Sequence, residues 1–178
     1  MIFGKKKEDK PKTAYRISVL STDYLIDGYN IPDYPIFEAA FDTDFENPLN
    51  NSLELKDARV QPVGDLDLPA RAFDLWRIPS MLNVVAAFSD DPAAEDDLLS
   101  NWEDFQTPFK VIICAGVFEV EGTIFSSDED APPDFSLHLF APMENIKISR
   151  LSGKKKEIAR AKWGVINSMM MQGYSVEK

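Results

Sequence analysis

The chain has 178 residues and a mass of 20.1 kDa, room for one large domain or two small ones. Hydrophobic residues make up 44%, enough for a core, which excludes a wholly disordered chain. Thirty acids against 19 bases set up a field that repels phosphate backbones and excludes a generic nucleic-acid binder. One cysteine, Cys114, and one histidine, His138, are too few for a disulfide framework or a zinc site.

Charge divides the chain into four parts. Residues 1–12 carry a net charge of +3, residues 13–88 and 89–107 each carry −7, and residues 108–178 balance. The first part reads as a disordered, solubilising basic tail. It lacks the apolar run of a secretory signal, and no stretch approaches the ~20 apolar residues of a membrane span. The expected setting is therefore cytoplasmic, without stable membrane insertion. Residues 1–12 could make only a weak contact with anionic lipid, at up to about 1 kcal/mol per basic residue and with only Ile2 and Phe3 to insert.

Residues 13–88 read as a run of strands. Ala14 to Leu20 and Tyr24 to Ile31 are β-branched and aromatic, and the turn chemistry of Ser21-Thr22-Asp23 between them predicts a hairpin. Gly28 inside the second run predicts a bulge or bend. A short helix can form at Pro35 to Phe41. Leu53 to Val63 and Ala70 to Ile78 are the third and fourth strands, and Leu82 to Phe88 is a short fifth one after the break at Pro79-Ser80.

Residues 89–107 form an acidic connector. Asp90-Asp91 can cap a helix whose first turn takes Pro92. Ala94, Leu98, Trp102 and Phe105 recur at helical spacing as one apolar stripe.

Residues 108–178 repeat the first set. Tyr15-Arg16-Ile17-Ser18-Val19 lies over Phe109-Lys110-Val111-Ile112-Ile113 at an offset of 94, and Gly28 falls on Gly122. Further on the offset is 88: Leu55 to Val60 lies over Met143 to Ile148, and Ile78 over Ile166. Ala70-Arg71-Ala72 matches Ala159-Arg160-Ala161 after a one-residue slip. Three separated blocks keep their order, so the expectation is an internal duplication, with the length difference absorbed by a loop near residues 32–52. The copied strands are Phe135 to Leu151, Glu157 to Ile166 and Met170 to Val176, with hairpin turns at Ala115-Gly116 and Ser152-Gly153-Lys154.

Five short strands with a bend in the second and a break before the fifth describe a small curved barrel. The strand order resembles the Sm-like and SH3-like small barrels over both copies. Two Sm-type signatures are missing: there is no Asp-x-x-Met-Asn after strand two and no Arg-Gly pair into strand five. The resemblance therefore implies fold and not RNA binding. The expected architecture is all-β, with barrels over 13–88 and 108–178 joined by the acidic helix at 89–107.

Chemistry-bearing residues are sparse. His138 shares a strand face with Ser136 and reads as a surface histidine rather than a catalytic one. Cys114 falls where the first copy has Leu20 and reads as a small buried hydrophobe. The acidic clusters Asp42-x-Asp44-x-Glu46 and Asp128-Glu129-Asp130 with Asp134 lack the glycine and distal Glu of a calcium loop. No cofactor or metal is expected.

Function then rests on surfaces. The expectation is a non-enzymatic protein-interaction or assembly module with a protein partner or a further copy of itself. Leu98, Leu99, Trp102 and Phe105 form an anchor set for a partner's groove; the favoured alternative is that this stripe docks between the two barrels of its own chain. A second reading is a small-ligand or regulatory protein with an apolar pocket between the copies, lined by Trp76, Trp163, Met169, Met170 and Met171.

Overall fold

The computed structural model describes residues 14–30, 53–65, 67–79, 83–99, 107–126, 128, 130–131, 139–152 and 155–177. They form ten strands: β1 Arg16–Ser21, β2 Tyr24–Asn30, β3 Leu53–Pro62, β4 Arg71–Ile78, β5 Val84–Ser89, β6 Thr107–Ala115, β7 Phe118–Ser126, β8 Phe140–Arg150, β9 Lys156–Asn167 and β10 Gly173–Glu177. One helix, α1, spans Pro92–Leu99, and a 3-10 turn covers Ser168–Met170. All ten strands join one antiparallel sheet in the order β10-β6-β7-β8-β9-β5-β1-β2-β3-β4. The fold is all-β, and the sheet is not closed.

Within β1–β5 the chain meanders through β1-β2-β3-β4, and β5 returns to pair with β1. Within β6–β10 the same connections recur, with β10 returning to β6. The registers also correspond. Ile17 faces Gly28 and Val111 faces Gly122; Val60 faces Arg71 and Ile148 faces Ala159. The strand offsets are thus 94 and then 88, and Arg71 aligns with Ala159 without the expected slip. Only the register settles that point, because short runs of alanine and arginine match at either spacing.

The bend in each half has a local cause. The β2·β3 ladder shifts register between Asp27 and Tyr29, and the β7·β8 ladder shifts between Glu121 and Thr123. Opposite these shifts stand Asp57 at φ 48° and Asn145 at φ 53°, two of the few side chains that tolerate the left-handed region. Glycine fills the other side of the bend for steric reasons. A Cβ on Gly122 would lie 2.8 Å from Met143 Cε and 2.9 Å from the Glu144 carbonyl, and one on Gly28 would lie 3.0 Å from the Lys56 carbonyl. Bulges of this kind increase twist and curl a short sheet toward itself.

Curling lets each half bury one apolar face. The first cluster unites Ile17, Val19, Ile26, Leu55, Val60, Ile78 and Ala87, drawing on all five strands of its half. The second unites Val111, Ile113, Val120, Ile124, Met143, Ile148 and Ile166, with Val176 packed against it. The halves also exchange residues. Trp163 and Val165 of β9 join the first cluster, while Leu20, Val63, Val85 and Phe88 join the second.

The seam between the halves is the β5·β9 ladder, with Ala86 facing Ile166, Ala87 facing Val165, Phe88 facing Gly164 and Ser89 facing Trp163. Every residue of β5 is buried. Asn167, fully buried, donates from Nδ2 to the Val84 carbonyl at 2.9 Å and accepts from the Met169 N–H at 3.0 Å, so both ends of its side-chain amide are engaged.

The described part of the connector is α1. Asp91 caps α1, its Oδ1 accepting from the Ala93 N–H at 3.0 Å, and its Oδ2 accepts from the Arg16 N–H at 3.2 Å. Ala94 is buried in the first cluster with Ala93 packed against it, so the first turn of α1 docks on its own chain. The predicted helix at 35–41 and residues 100–106 lie outside the described residues.

Candidate functional site

The surface features that stand out are the two ends of the sheet. β4 is exposed at six of its eight positions although it carries Phe73, Leu75 and Trp76, and β10 is mostly exposed although it carries Tyr174 and Val176. Alternation in an ordinary half-buried strand would turn one face inward. Among the described residues each of these strands has one hydrogen-bonded neighbour, and β4 sets exposed Phe73 and Leu75 beside its outer side.

Comparison with the corresponding strands at the seam shows the difference pairing makes. Trp163 on β9 is 6% exposed, while Leu75, at the same position on β4, is 44% exposed. Ala161 and Phe73 stand at 5% and 37%. Beyond β3, Val63 is buried and its counterpart Leu151 is exposed. Phe73 and Trp76 lean on one another, ring centroids 4.8 Å apart, and Trp76 is partly buried against the first cluster.

Cys114 belongs to this same pattern and corrects the expectation that it is buried. The side chain is exposed. Alternation in β6 turns Val111, Ile113 and Ala115 inward and Cys114 outward. Leu20 at the matching position is fully buried because the opposite half of the molecule covers its side of β1. Among the described residues no such cover lies over Cys114.

Two polar grooves flank the bends, one in each half. The first is lined by Arg16, Asp27, Gly28, Tyr29, Asp57 and Arg59 and encloses ≈ 240 Å³. The second, at ≈ 310 Å³, is lined by residues at the same six positions, Lys110, Glu121, Gly122, Thr123, Asn145 and Lys147, with Arg160 and Glu177 among its further members.

Opposite charges face one another across the strands in both grooves, Asp27 with Arg59 and Glu121 with Lys147. In the second groove Lys147 Nζ donates to both oxygens of Glu121, at 2.8 and 3.0 Å, and Lys155 donates to Glu121 at 3.0 Å and also to Glu119. The hydrogen bonds from Lys147 and then Lys155 hold the Glu121 carboxyl down to about 2. In the first groove the Ser18 hydroxyl donates to Asp27. Both carboxylates are engaged as hydrogen-bond acceptors beside the bends.

The residues singled out from sequence fall in different places. Trp163 is buried in the first cluster, with Lys162 Nζ 4.5 Å from its ring centroid. Met170 and Met171 pack against the second cluster, and Met169 is exposed. The five proposed pocket residues are thus divided between two cores and the surface, and none lines either groove. Leu98 and Leu99 lie on α1. Trp102, Phe105, His138, Asp42, Asp44, Glu46, Glu129 and Asp134 lie outside the described residues.

Among the described residues no group of three His, Cys, Asp or Glu side chains is placed to hold a metal ion, and no helix is long and apolar enough to cross a membrane. No family model matches the chain, and no curated protein or solved structure matches it.

Proposed function

We propose that this protein is a non-enzymatic assembly module, a tandem duplication of one small, bent, barrel-like β unit whose halves are joined through strand edges and the short acidic helix. What supports the duplication is the correspondence of register, bulge, left-handed residue and groove at constant offsets in the two halves. What carries the functional reading is one observation: among the described residues the end strands of the sheet pair on one side only, and β4 there exposes Phe73 and Leu75. Burial of such surface on a partner, at roughly 25 cal/mol per Å² of apolar area, adds to the strand-pairing hydrogen bonds.

The test is retention of a protein partner, of whatever kind, that depends on these edges. Light scattering over a wide concentration range, together with affinity capture, should show association that Leu75→Lys weakens. A chain that stays monomeric and retains nothing contradicts the reading. The alternative of an apolar ligand pocket built from Trp76, Trp163, Met169, Met170 and Met171 has weaker support, since those side chains divide between separate clusters.

A further inference from the structure

We propose that the groove of the first half is a binding site for a small zwitterion of the α-amino-acid class, its carboxylate held by Arg16 and Arg59 and its ammonium by Asp57. This site is separate from the exposed residues of β4 and stands whatever the outcome for assembly.

The two grooves differ in what their charges bind. In the second, the base of β8 is spent on the acid of β7: Lys147 Nζ donates to both oxygens of Glu121. Arg160 is likewise held by Glu157, at 3.0 and 3.2 Å. In the first groove Ser18 stands in place of Ile112, Asp27 in place of Glu121 and Arg59 in place of Lys147. Asp27 is one methylene shorter than Glu121, and it takes its hydrogen bond from Ser18, a donor that Ile112 cannot supply. Arg59 faces Asp27 across the ladder, yet no ion pair joins them. Among the described residues the side chains of Arg16, Arg59 and Asp57 make no hydrogen bond or ion pair.

What the second groove does with its own glutamate, the first does with a carboxylate from outside. Arg16 and Arg59 lie on β1 and β3, either side of β2 and so roughly 10 Å apart at the backbone, within the joint reach of two arginine side chains. A guanidinium suits a carboxylate because its N–H groups form paired, charge-assisted bonds with both oxygens. Asp57 supplies the opposite charge at the same groove, where the second half has the neutral Asn145. Arg16 and Arg59 against Asp27 and Asp57 leave the groove without net charge, while the whole chain carries −11. That field repels a plain anion and leaves a neutral zwitterion unopposed. The volume of ≈ 240 Å³ lies below the roughly 300–1,000 Å³ of sites for drug-sized molecules, which sets the ligand at the size of a single amino acid. Tyr29, exposed and lining the same groove, offers its ring to the ligand's side chain.

Nuclear magnetic resonance on the full chain at low ionic strength, where exposed ion pairs are least screened, tests this with L-alanine, acetate and methylammonium as probes. L-Alanine should shift the Gly28 and Tyr29 amides and the Arg16 and Arg59 Nε–H signals along a saturable curve. The open groove sets the affinity on the order of millimolar. Acetate should bind about tenfold more weakly or worse, and methylammonium should cause no saturable shift. Arg59→Gln should weaken L-alanine by about tenfold or more. Asp57→Asn, which introduces the residue found at the corresponding position of the second half, should bring L-alanine down to the level of acetate. Ser18→Ile combined with Asp27→Glu should abolish binding, because the longer acid then occupies Arg59. Unchanged amide signals away from the groove show that each variant is folded. Absence of a saturable shift with L-alanine overturns the inference, and so does binding that survives Arg59→Gln. Acetate that matches L-alanine on the wild-type chain also overturns it, since Asp57 then has no part in recognition.

Discussion

Gly164 tests whether the seam is as tight as its register implies. It faces Phe88 on β5 and Met143 on β8. A Cβ there would lie 2.4 Å from the Ala87 carbonyl oxygen, 2.6 Å from Ile146 Cδ1 and 2.8 Å from Phe88 Cβ. The Ile146 terminus can swing away, but the carbonyl is backbone held in the β5 ladder. Relief therefore requires the two halves to part locally by about an ångström, and overpacking on that scale costs about 1–3 kcal/mol. Replacing glycine in a strand returns up to about 1 kcal/mol through lost freedom of the unfolded chain. The net expected loss for Gly164→Ala is about 1 kcal/mol, a fall in Tm of roughly 2–4 °C for a chain of this size. Gly173→Ala is the control, since nothing lies within 4 Å of its Cβ, and its Tm should hold or rise slightly. Calorimetry or circular dichroism on the pair decides the matter. Equal melting of Gly164→Ala and Gly173→Ala would refute the close approach of β5 and β9.

Further outcomes follow from single contacts. Asn167→Ala leaves the Val84 carbonyl without its buried donor, which should cost about 1–3 kcal/mol in urea unfolding. Glu144 is pushed above its ordinary 4.5 chiefly by burial, with Lys162 opposing. Its ionisation therefore costs stability that grows as pH rises through the raised value, so Glu144→Gln should raise Tm at pH 7 and not at pH 3. Glu121 behaves in the opposite sense: its depressed value contributes stability that is present above about 4.5 and lost as pH falls toward 2. Lys147→Met should make that acid loss shallower and cost less than about 1 kcal/mol at neutral pH, because the pair is about one-third exposed. Cys114 should react with a thiol reagent in the native chain under conditions where no unfolding is detected; protection of that thiol would contradict its exposure.

Strand positions were readable because β-branched and aromatic runs separated by turn residues leave few other options: β2, β3 and β4 fall within a residue or two of their predicted bounds. The bends were readable from Gly28 and Gly122, whose meaning in a strand is steric. The partners of β5 were not. Val84 to Ser89 is apolar on both faces, which announces burial without saying what covers it, and only the ladder identifies β9. Cys114 misled for a related reason: the same position in the first half is covered by the other half, and sequence overlay cannot see a neighbour. The exposed side of β4 was legible only as apolar residues in a strand, since Phe73 and Leu75 read as core until their strand proves to be the last among the described residues of the sheet.

Site-directed cross-linking measures the central claim most directly. In a Cys114→Ser background, Ala86→Cys combined with Ile166→Cys places two thiols in directly facing positions of the β5·β9 ladder that joins the halves, within the Cα separation a disulfide requires. Mild oxidation should give a monomer whose non-reducing mobility changes and returns on reduction. Ala86→Cys combined with Trp163→Cys, three residues out of register and so roughly 10 Å away, should give no such change. No cross-link from the first pair, or equal cross-linking from both, would contradict the account.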